Sequence, residues 1–227
     1  MPHWTLRGYH VFLAAVLTGA GVLGLSSGAA AHPHVWATVR SEIVFGPDNK
    51  ITGIRHAWTF DEFYSAMAIQ GLDADGDGVY SKEELAPLAQ VNVESLKEFA
   101  YFTFVRVTGE DKFLPLKPPV DYSIEYDDPV ITLYFTLPLE TPLDPGAKGV
   151  SVEVYDPSFF VAFGFAKERA VKIAGQAAGC TAKLDVPDPE SAEAAKALSE
   201  SFFSQLGPNS DYGSQFAQAV MVTCGAQ

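Results

Sequence analysis

Residues 35–45 read Val35-Trp36-Ala37-Thr38-Val39-Arg40-Ser41-Glu42-Ile43-Val44-Phe45. Val35, Ala37, Val39, Ile43 and Phe45 fall on one side, while Thr38, Arg40 and Glu42 fall on the other. A period of two with one apolar side is the pattern of a strand whose single face is buried. The cluster Gly46-Pro47-Asp48-Asn49 then supplies a turn, and Ile51 to Thr59 reads as the returning strand of a hairpin.

Downstream, Thr59-Phe60-Asp61-Glu62 matches a capping box, and Phe60, Phe63, Tyr64 and Met67 keep helical spacing, so a helix is expected from Thr59. A second helix is expected over Ser81 to Gln90, with Pro87 as a kink or stop, and a short further piece around Ser95 to Phe99. Strand patterns return at Tyr101 to Val107, Tyr122 to Tyr126, Val130 to Leu137, Val150 to Tyr155, Val171 to Ile173 and Val220 to Cys224. Between the last two, Asp188 as N-cap, Pro189 at the first helical position and an apolar face of Ala195, Leu198, Phe202 and Leu206 mark a late helix ended by Gly207-Pro208. The expected fold is α+β: a β-rich, sandwich-like core with a helical, EF-hand-type insertion at about residues 60–100 and one late helix.

The chain has 227 residues, is 48% hydrophobic and carries a formal net charge of −13. This composition excludes a disordered or collagen-like chain, and two cysteines are too few for a disulfide miniprotein. The acidic balance argues against nucleic acid as a partner, because phosphate neutralisation needs clustered cations.

Residues 1–31 read as a secretory signal: Arg7 in a short basic start, an apolar run from Val11 to Leu25, and Ala29-Ala30-Ala31 before a cleavage point near Ala31. That run is shorter than the ~20 residues that span a bilayer. The expected mature protein is therefore residues 32–227, soluble in the periplasm. There Cys180 and Cys224, an even count in an oxidising compartment, are expected to pair.

Asp73-Ala74-Asp75-Gly76-Asp77-Gly78-Val79-Tyr80-Ser81-Lys82-Glu83-Glu84 fits the twelve-residue calcium loop of EF-hands. Asp73, Asp75 and Asp77 would direct carboxylates at a hard cation. Val79 would add its carbonyl, Ser81 a hydroxyl or bridging water, and Glu84 both carboxylate oxygens. Gly78 permits the sharp turn. One loop without a Met-rich groove points to a structural calcium ion rather than a sensor, filled at the ~10⁻⁴–10⁻³ M affinity of extracellular modules.

Of the five histidines, His3 and His10 lie in the leader, which leaves His32, His34 and His56. Cleavage after Ala31 would start the mature chain His32-Pro33-His34, bringing an α-amine and two imidazoles together as ligands for zinc, nickel or copper. Pro33 has no amide proton, so the usual amino-terminal copper/nickel chelate is closed, and Asp61 or Glu62 is needed to complete the shell. Counted from the Gly46 turn, the hairpin register places His34 opposite one of these two acids. No nucleophile elbow or free cysteine accompanies the histidines, and no enzymatic activity is expected.

Six segments together resemble a known family. They are His32-Pro33-His34-Val35-Trp36, Trp58-Thr59-Phe60-Asp61-Glu62-Phe63, the Asp73 to Glu84 loop, Tyr101-Phe102-Thr103, Glu125-Tyr126-Asp127-Asp128 and Tyr155-Asp156-Pro157-Ser158-Phe159-Phe160. The chain is similar to the exported bacterial proteins of the domain-of-unknown-function 1007 type. The resemblance implies the periplasmic component of an ABC-type transport system, with membrane permeases of the nickel/cobalt type, some linked to zinc acquisition, as partners. The expected function is a periplasmic metal-binding accessory protein that serves such a permease and holds a structural calcium ion. Two other functions compete: a calcium-dependent module that binds protein or glycan without a transition metal, and a copper redox enzyme built on the His32 terminus.

Overall fold

The structure is a computed structural model that describes residues 33–186 and 211–225. The leader, His32 and the helix expected from Asp188 to Leu206 lie outside the described residues. Among the described residues ten strands form two sheets, with two helices inserted after the first hairpin.

The hairpin is the spine of the larger sheet. Strand β1 (Val35–Phe45) pairs antiparallel with β2 (Ile51–Phe60), and the Gly46 N–H donates to the Lys50 carbonyl across the turn at 2.9 Å. β2 continues into β5 (Val130–Leu143), and β5 into β4 (Val120–Asp127), both antiparallel. On its other edge β1 meets two short parallel strands in turn, β7 (Val161–Phe165) and β8 (Val171–Gly175). The smaller sheet runs β3 (Thr103–Val107), β6 (Val150–Val154), β10 (Gln218–Cys224) and β9 (Cys180–Asp185).

The sheets are held together by what lies between them. Val39, Trp58, Leu133 and Phe135 of the larger sheet share one cluster with Tyr101, Phe102 and Val154, which flank or belong to the smaller one. Ile43 and Ile54 share a second with Val105, Val152, Val220 and Val222. All of these are buried, and each fully buried aliphatic or aromatic side chain contributes roughly 1.5–3 kcal/mol. The sandwich expected from the strand spacing is therefore present.

Helix α1 (Glu62–Ala68) starts later than expected. Thr59 and Phe60 are still paired with Thr38 and Ala37, and the cap is Asp61, whose carboxylate accepts from the Tyr64 N–H at 2.9 Å. Two satisfied ladder positions outweigh one capping box. Helix α2 (Lys82–Leu96) runs through Pro87 instead of stopping. Proline removes only the bond to the Glu83 carbonyl, and both residues are exposed, so water can take that place. A 3₁₀ stretch, Lys97–Phe102, follows. β7 and β9 went unread in the sequence: Gly164 interrupts the first, and its five residues are all half-buried, so no alternation marks it.

A small polar cluster sits in the core. His56 is 1% exposed between the sheets, with Nδ1 2.9 Å from the Ser41 hydroxyl and Nε2 3.2 Å from the Thr103 hydroxyl. Thr103 already donates to the Tyr101 carbonyl, so it accepts from Nε2–H, and Ser41 donates to Nδ1. Both ring nitrogens are satisfied in the neutral form, and burial pushes the imidazole pKa down to about 3. His56 thus bridges the sheets from β2 to β3 and is no metal ligand or base.

Two outcomes are expected. As pH falls from about 6.5 towards 3, the unfolded chain takes up a proton at His56 that the folded chain refuses, so stability drops by at most about 1.4 kcal/mol per unit. Urea denaturation at pH 6.5 and 4.5 should show this slope, and His56→Gln should flatten it. Cys180 and Cys224 face each other across β9 and β10 and form a disulfide that closes a separation of 44 residues. Replacing both with Ser should cost about 4 kcal/mol in the same assay, from loop-closure entropy.

Candidate cation loop and the histidine end of the sandwich

Between α1 and α2 the chain folds its carboxylates inward. Gly76 and Gly78 adopt φ of +75° and +81°, a left-handed conformation open to glycine at no steric cost. These turns aim main-chain N–H groups at the acids. Asp73 Oδ1 accepts from Gly76 at 2.8 Å and Asp77 at 3.1 Å, and its Oδ2 accepts from Gly78 at 3.0 Å. Asp75 accepts from the Asp77 N–H, and Asp77 from the Val79 N–H.

Glu84 closes the loop from the far side. Its Oε1 accepts from the Ala74 N–H at 2.7 Å, while Oε2 accepts from the Ser81 N–H and hydroxyl at 2.9 and 2.8 Å. Ser81 in turn caps α2 by accepting from the Glu84 N–H, a reciprocal capping box. The bonds from Ser81, then Ala74, hold the Glu84 pKa below the usual carboxylate value. That contribution to stability is present at neutral pH and is lost as pH falls below about 4.5.

The result is a gathering of acids. Oxygens of Asp73, Asp75 and Glu84 lie within 4.8 Å of one another. Calcium takes oxygen ligands at 2.3–2.6 Å, so two on opposite sides stand about 5 Å apart, and oxygens this close are within reach of one such ion. Asp77 is not part of this close set; its Oδ1 is used by Val79. The flanks also differ from a pair of embracing helices, because α1 stops at Ala68, short of Asp73, and Gly71 at φ +79° turns the chain between them.

The other expected ligands lie at the end of the sandwich where β1 begins. His34 is exposed, its N–H donates to the Phe160 carbonyl at 2.9 Å, and its ring lies 4.6 Å from the Phe160 ring. Asp61 faces Trp36 instead of His34: its Oδ2 accepts from the Trp36 N–H, and its own N–H donates to the Trp36 carbonyl, both at 2.9 Å. A register shift at Val44/Phe45 moves the pairing beyond the count made from the turn, so that His34 would stand level with Phe63, past the end of β2. Glu62 is exposed in the first turn of α1. The structure thus puts His34, Asp61 and Glu62 at one end of the molecule without bringing them into a cluster, and His32 lies outside the described residues.

Segments far apart in the chain meet around these two sites. Asp156, 4% exposed, accepts from the N–H and hydroxyl of Ser158 and from the Val161 N–H. It thereby shapes the loop that carries Phe160 under His34. Gly213 seals that loop from outside; a Cβ there would come within 1.7 Å of the Asp156 carbonyl oxygen. The Tyr155 N–H donates to the Phe102 carbonyl, and the Ser65 hydroxyl accepts from the Ile131 N–H, which anchors α1 to β5. Tyr126 packs against Tyr80 of the acidic loop, and Lys82 pairs with Glu125 at 3.3 Å.

The sequence reading passed over the outward face of the larger sheet. Arg40, Arg55, Arg169 and Lys172 line one groove there. The signal was available, since Arg40 and Arg55 occupy outward positions of the hairpin in a chain with only five arginines.

A β-sandwich with an acidic loop after its first hairpin and a disulfide between its last two strands is the class these features define. The chain belongs to the family described as a protein of unknown function (DUF1007), which it matches over residues 17–224. It is 27% identical over 203 residues to an uncharacterized protein of Haemophilus influenzae, covering 89% of this chain and 95% of that one. It is also 31% identical over 101 residues to an uncharacterized 15.5 kDa protein from the trpE 3′ region of Spirochaeta aurantia, covering 44% of this chain and 70% of that one. The disulfide is what a chain folding in an oxidising compartment forms. Among the described residues no helix is long and apolar enough to cross a membrane.

Proposed function

We propose that the protein is an exported metal-binding accessory that serves a transition-metal permease, held in shape by a calcium ion in the Asp73–Glu84 loop. The observation that carries the calcium part is the convergence of Asp73, Asp75 and Glu84 oxygens on one point from both ends of a twelve-residue loop. Like charges brought this close repel, and a divalent cation turns that repulsion into attraction. The Val79 carbonyl, Asp77 and Ser81 complete the ligand set as the sequence reads it.

The transition-metal part rests on the sequence His32-Pro33-His34 and the resemblance to proteins that accompany metal permeases. It is supported by the position of His34 at an exposed strand start, with Asp61 and Glu62 at the same end. Zinc, nickel or copper suits these nitrogen donors. That end also presents Trp36, Phe63, Met67 and Phe160, which are 50%, 72%, 59% and 46% exposed. An apolar end of this kind suits a protein surface such as a permease. The same feature favours a second reading, a calcium-dependent protein-interaction module with no transition metal.

Calcium in large excess over its Kd should raise Tm, since a ligand that binds only the folded state adds about 2.7 kcal/mol at one hundred times Kd. Glu84→Gln should abolish the rise while leaving α2 capped, because glutamine serves at the same position of a capping box. An identical Tm for the wild-type protein with calcium and with chelator would overturn the calcium reading.

For the second metal, competition titrations with zinc, nickel and copper should show weaker binding in His34→Ala and in a variant with one Ala added ahead of His32. The added residue keeps both imidazoles and displaces only the amine. Equal affinity in both variants and in wild type would remove the metal site from this terminus and leave the interaction module as the function.

A further inference from the structure

The larger sheet turns one face to the core and the other to solvent, and the outward face is not evenly polar. Along β1 the outward side chains include Arg40 and Glu42; along β2 they include Arg55, Ala57 and Thr59; along β5, Thr132 and Tyr134. In register, Arg40 stands beside Ala57, and Ala57 beside Tyr134. The small side chain leaves a trough between a guanidinium and a phenol. A groove of about 610 Å³ results. Pockets for small ligands fall between roughly 300 and 1,000 Å³.

One wall comes from a break in the sheet edge. β1 pairs with β7 as far as Val39 and with β8 from Ser41. The Ala166 N–H donates to the Val39 carbonyl and the Ser41 N–H to the Ala170 carbonyl, both at 2.9 Å. Residues 167–169 therefore bulge out beside Arg40 and carry Arg169 over the same groove, with φ +52°. Lys172 follows on β8, level with Glu42.

The charges leave a surplus. Glu42 lies between Arg55 and Lys172 in register and pairs with the Arg55 guanidinium. Among the described residues, Arg40, Arg169 and Lys172 have no carboxylate ion-pair partner. Burial and then Glu125 push the Tyr134 phenol up, and Arg40 opposes them. At the far end, the Thr59 and Thr132 hydroxyls bond each other at 2.9 Å beside Asp127. The groove thus has a positive end and an end of hydroxyls and one acid. Counting Arg40, Arg55, Arg169 and Lys172 against Glu42 and Asp127, it is net positive on a chain of charge −13. Three of the five arginines, residues 7, 40, 55, 106 and 169, face it. Arginine is the side chain that grips a carboxylate or phosphoryl group through two parallel N–H bonds, and burial of neither partner is needed for that geometry.

We propose that this groove binds a small organic anion, a carboxylate or phosphate ester, whose acidic group is held by Arg40 and Arg169 while its polar remainder lies towards Thr59, Thr132 and Asp127. Lys172 adds long-range attraction from the β8 side. The site is separate from the acidic loop and from His34, and it stands whether or not either binds a metal.

The test is calorimetric titration of the exported chain, at saturating calcium and low ionic strength, with succinate and with glycerol phosphate as probes. The two probes separate carboxylate from phosphoryl recognition. Binding in the micromolar to low millimolar range is expected for one or both, weakened at least tenfold in Arg169→Gly and further in Arg40→Gln with Arg169→Gly. Arg169→Gly removes the guanidinium from an exposed loop while relieving its positive φ, so the variant folds if the wild type does. Arg106→Gln removes an arginine that belongs to the smaller sheet, and it should leave the affinity unchanged within twofold. If neither probe binds wild-type protein up to about 10 mM, ten times a Kd of about 1 mM, or if all three variants bind as wild type does, the groove is a solvated charged surface and the proposal fails.

Discussion

Strand β1 is paired on both edges along nearly its whole length, antiparallel to β2 and parallel to β7 and then β8. A central strand of this kind satisfies its backbone donors and acceptors only if its neighbours are all in place, so its register constrains three other strands. Its inward side chains pass from one apolar cluster to the other, with Val35, Ala37 and Val39 in the first and Ile43 and Phe45 in the second. Between them sits Ser41, bonded to His56. The same alternation sends Arg40 and Glu42 outward into the groove and leaves His34 at an exposed start. Core, groove and strand end are therefore set by one register, and a slip of one residue would exchange all three.

How far the sequence could be read follows from where periodicity dominated. The hairpin around Gly46, the strands of both sheets that alternate cleanly, and the pairing of Cys180 with Cys224 were legible, because burial on one face or an even cysteine count decides them locally. β7 carries no such mark, since its residues are half-buried on both faces, and its partner was set by the long excursion through residues 62–160. The start of α1 was misread for a related reason. Thr59 and Asp61 are both good caps, and the choice between them fell to the β1 main chain, which pairs through Trp36 with Asp61. Locally the two caps are equal; only the tertiary ladder separates them.

The candidate sites divide along the same line. The acidic loop was visible because its acids are close together in the chain and its geometry is carried by Gly76, Gly78 and Glu84 within twelve residues. The offset between His34 and Asp61 depended on a bulge at Val44/Phe45, which no composition rule locates. The arginine groove needed β8 and the loop before it to be placed, and neither Arg169 nor Lys172 is near Arg40 in the chain. Acids crowd the loop beyond α1, while three of the five arginines, Arg40, Arg55 and Arg169, line the outward face of the larger sheet.

The place of the acidic loop in the fold matters beyond its carboxylates. The loop joins α1 to α2, and both helices are fixed to the larger sheet, α1 through Ser65 to Ile131 and α2 through the Lys82–Glu125 pair beside the Tyr80–Tyr126 ring contact. On the proposed calcium reading, an ion shared by Asp73 and Glu84 would tie the segment after α1 to the first turn of α2. The start of α1 is Asp61, which holds the Trp36 N–H two residues from His34. The seven residues of α1 separate the loop side of the helix from the His34 end. On this geometry a calcium ion would act on the other end of α1 by restricting its position, with no contact to it, and the cost of ordering the strand start would fall once the loop was filled.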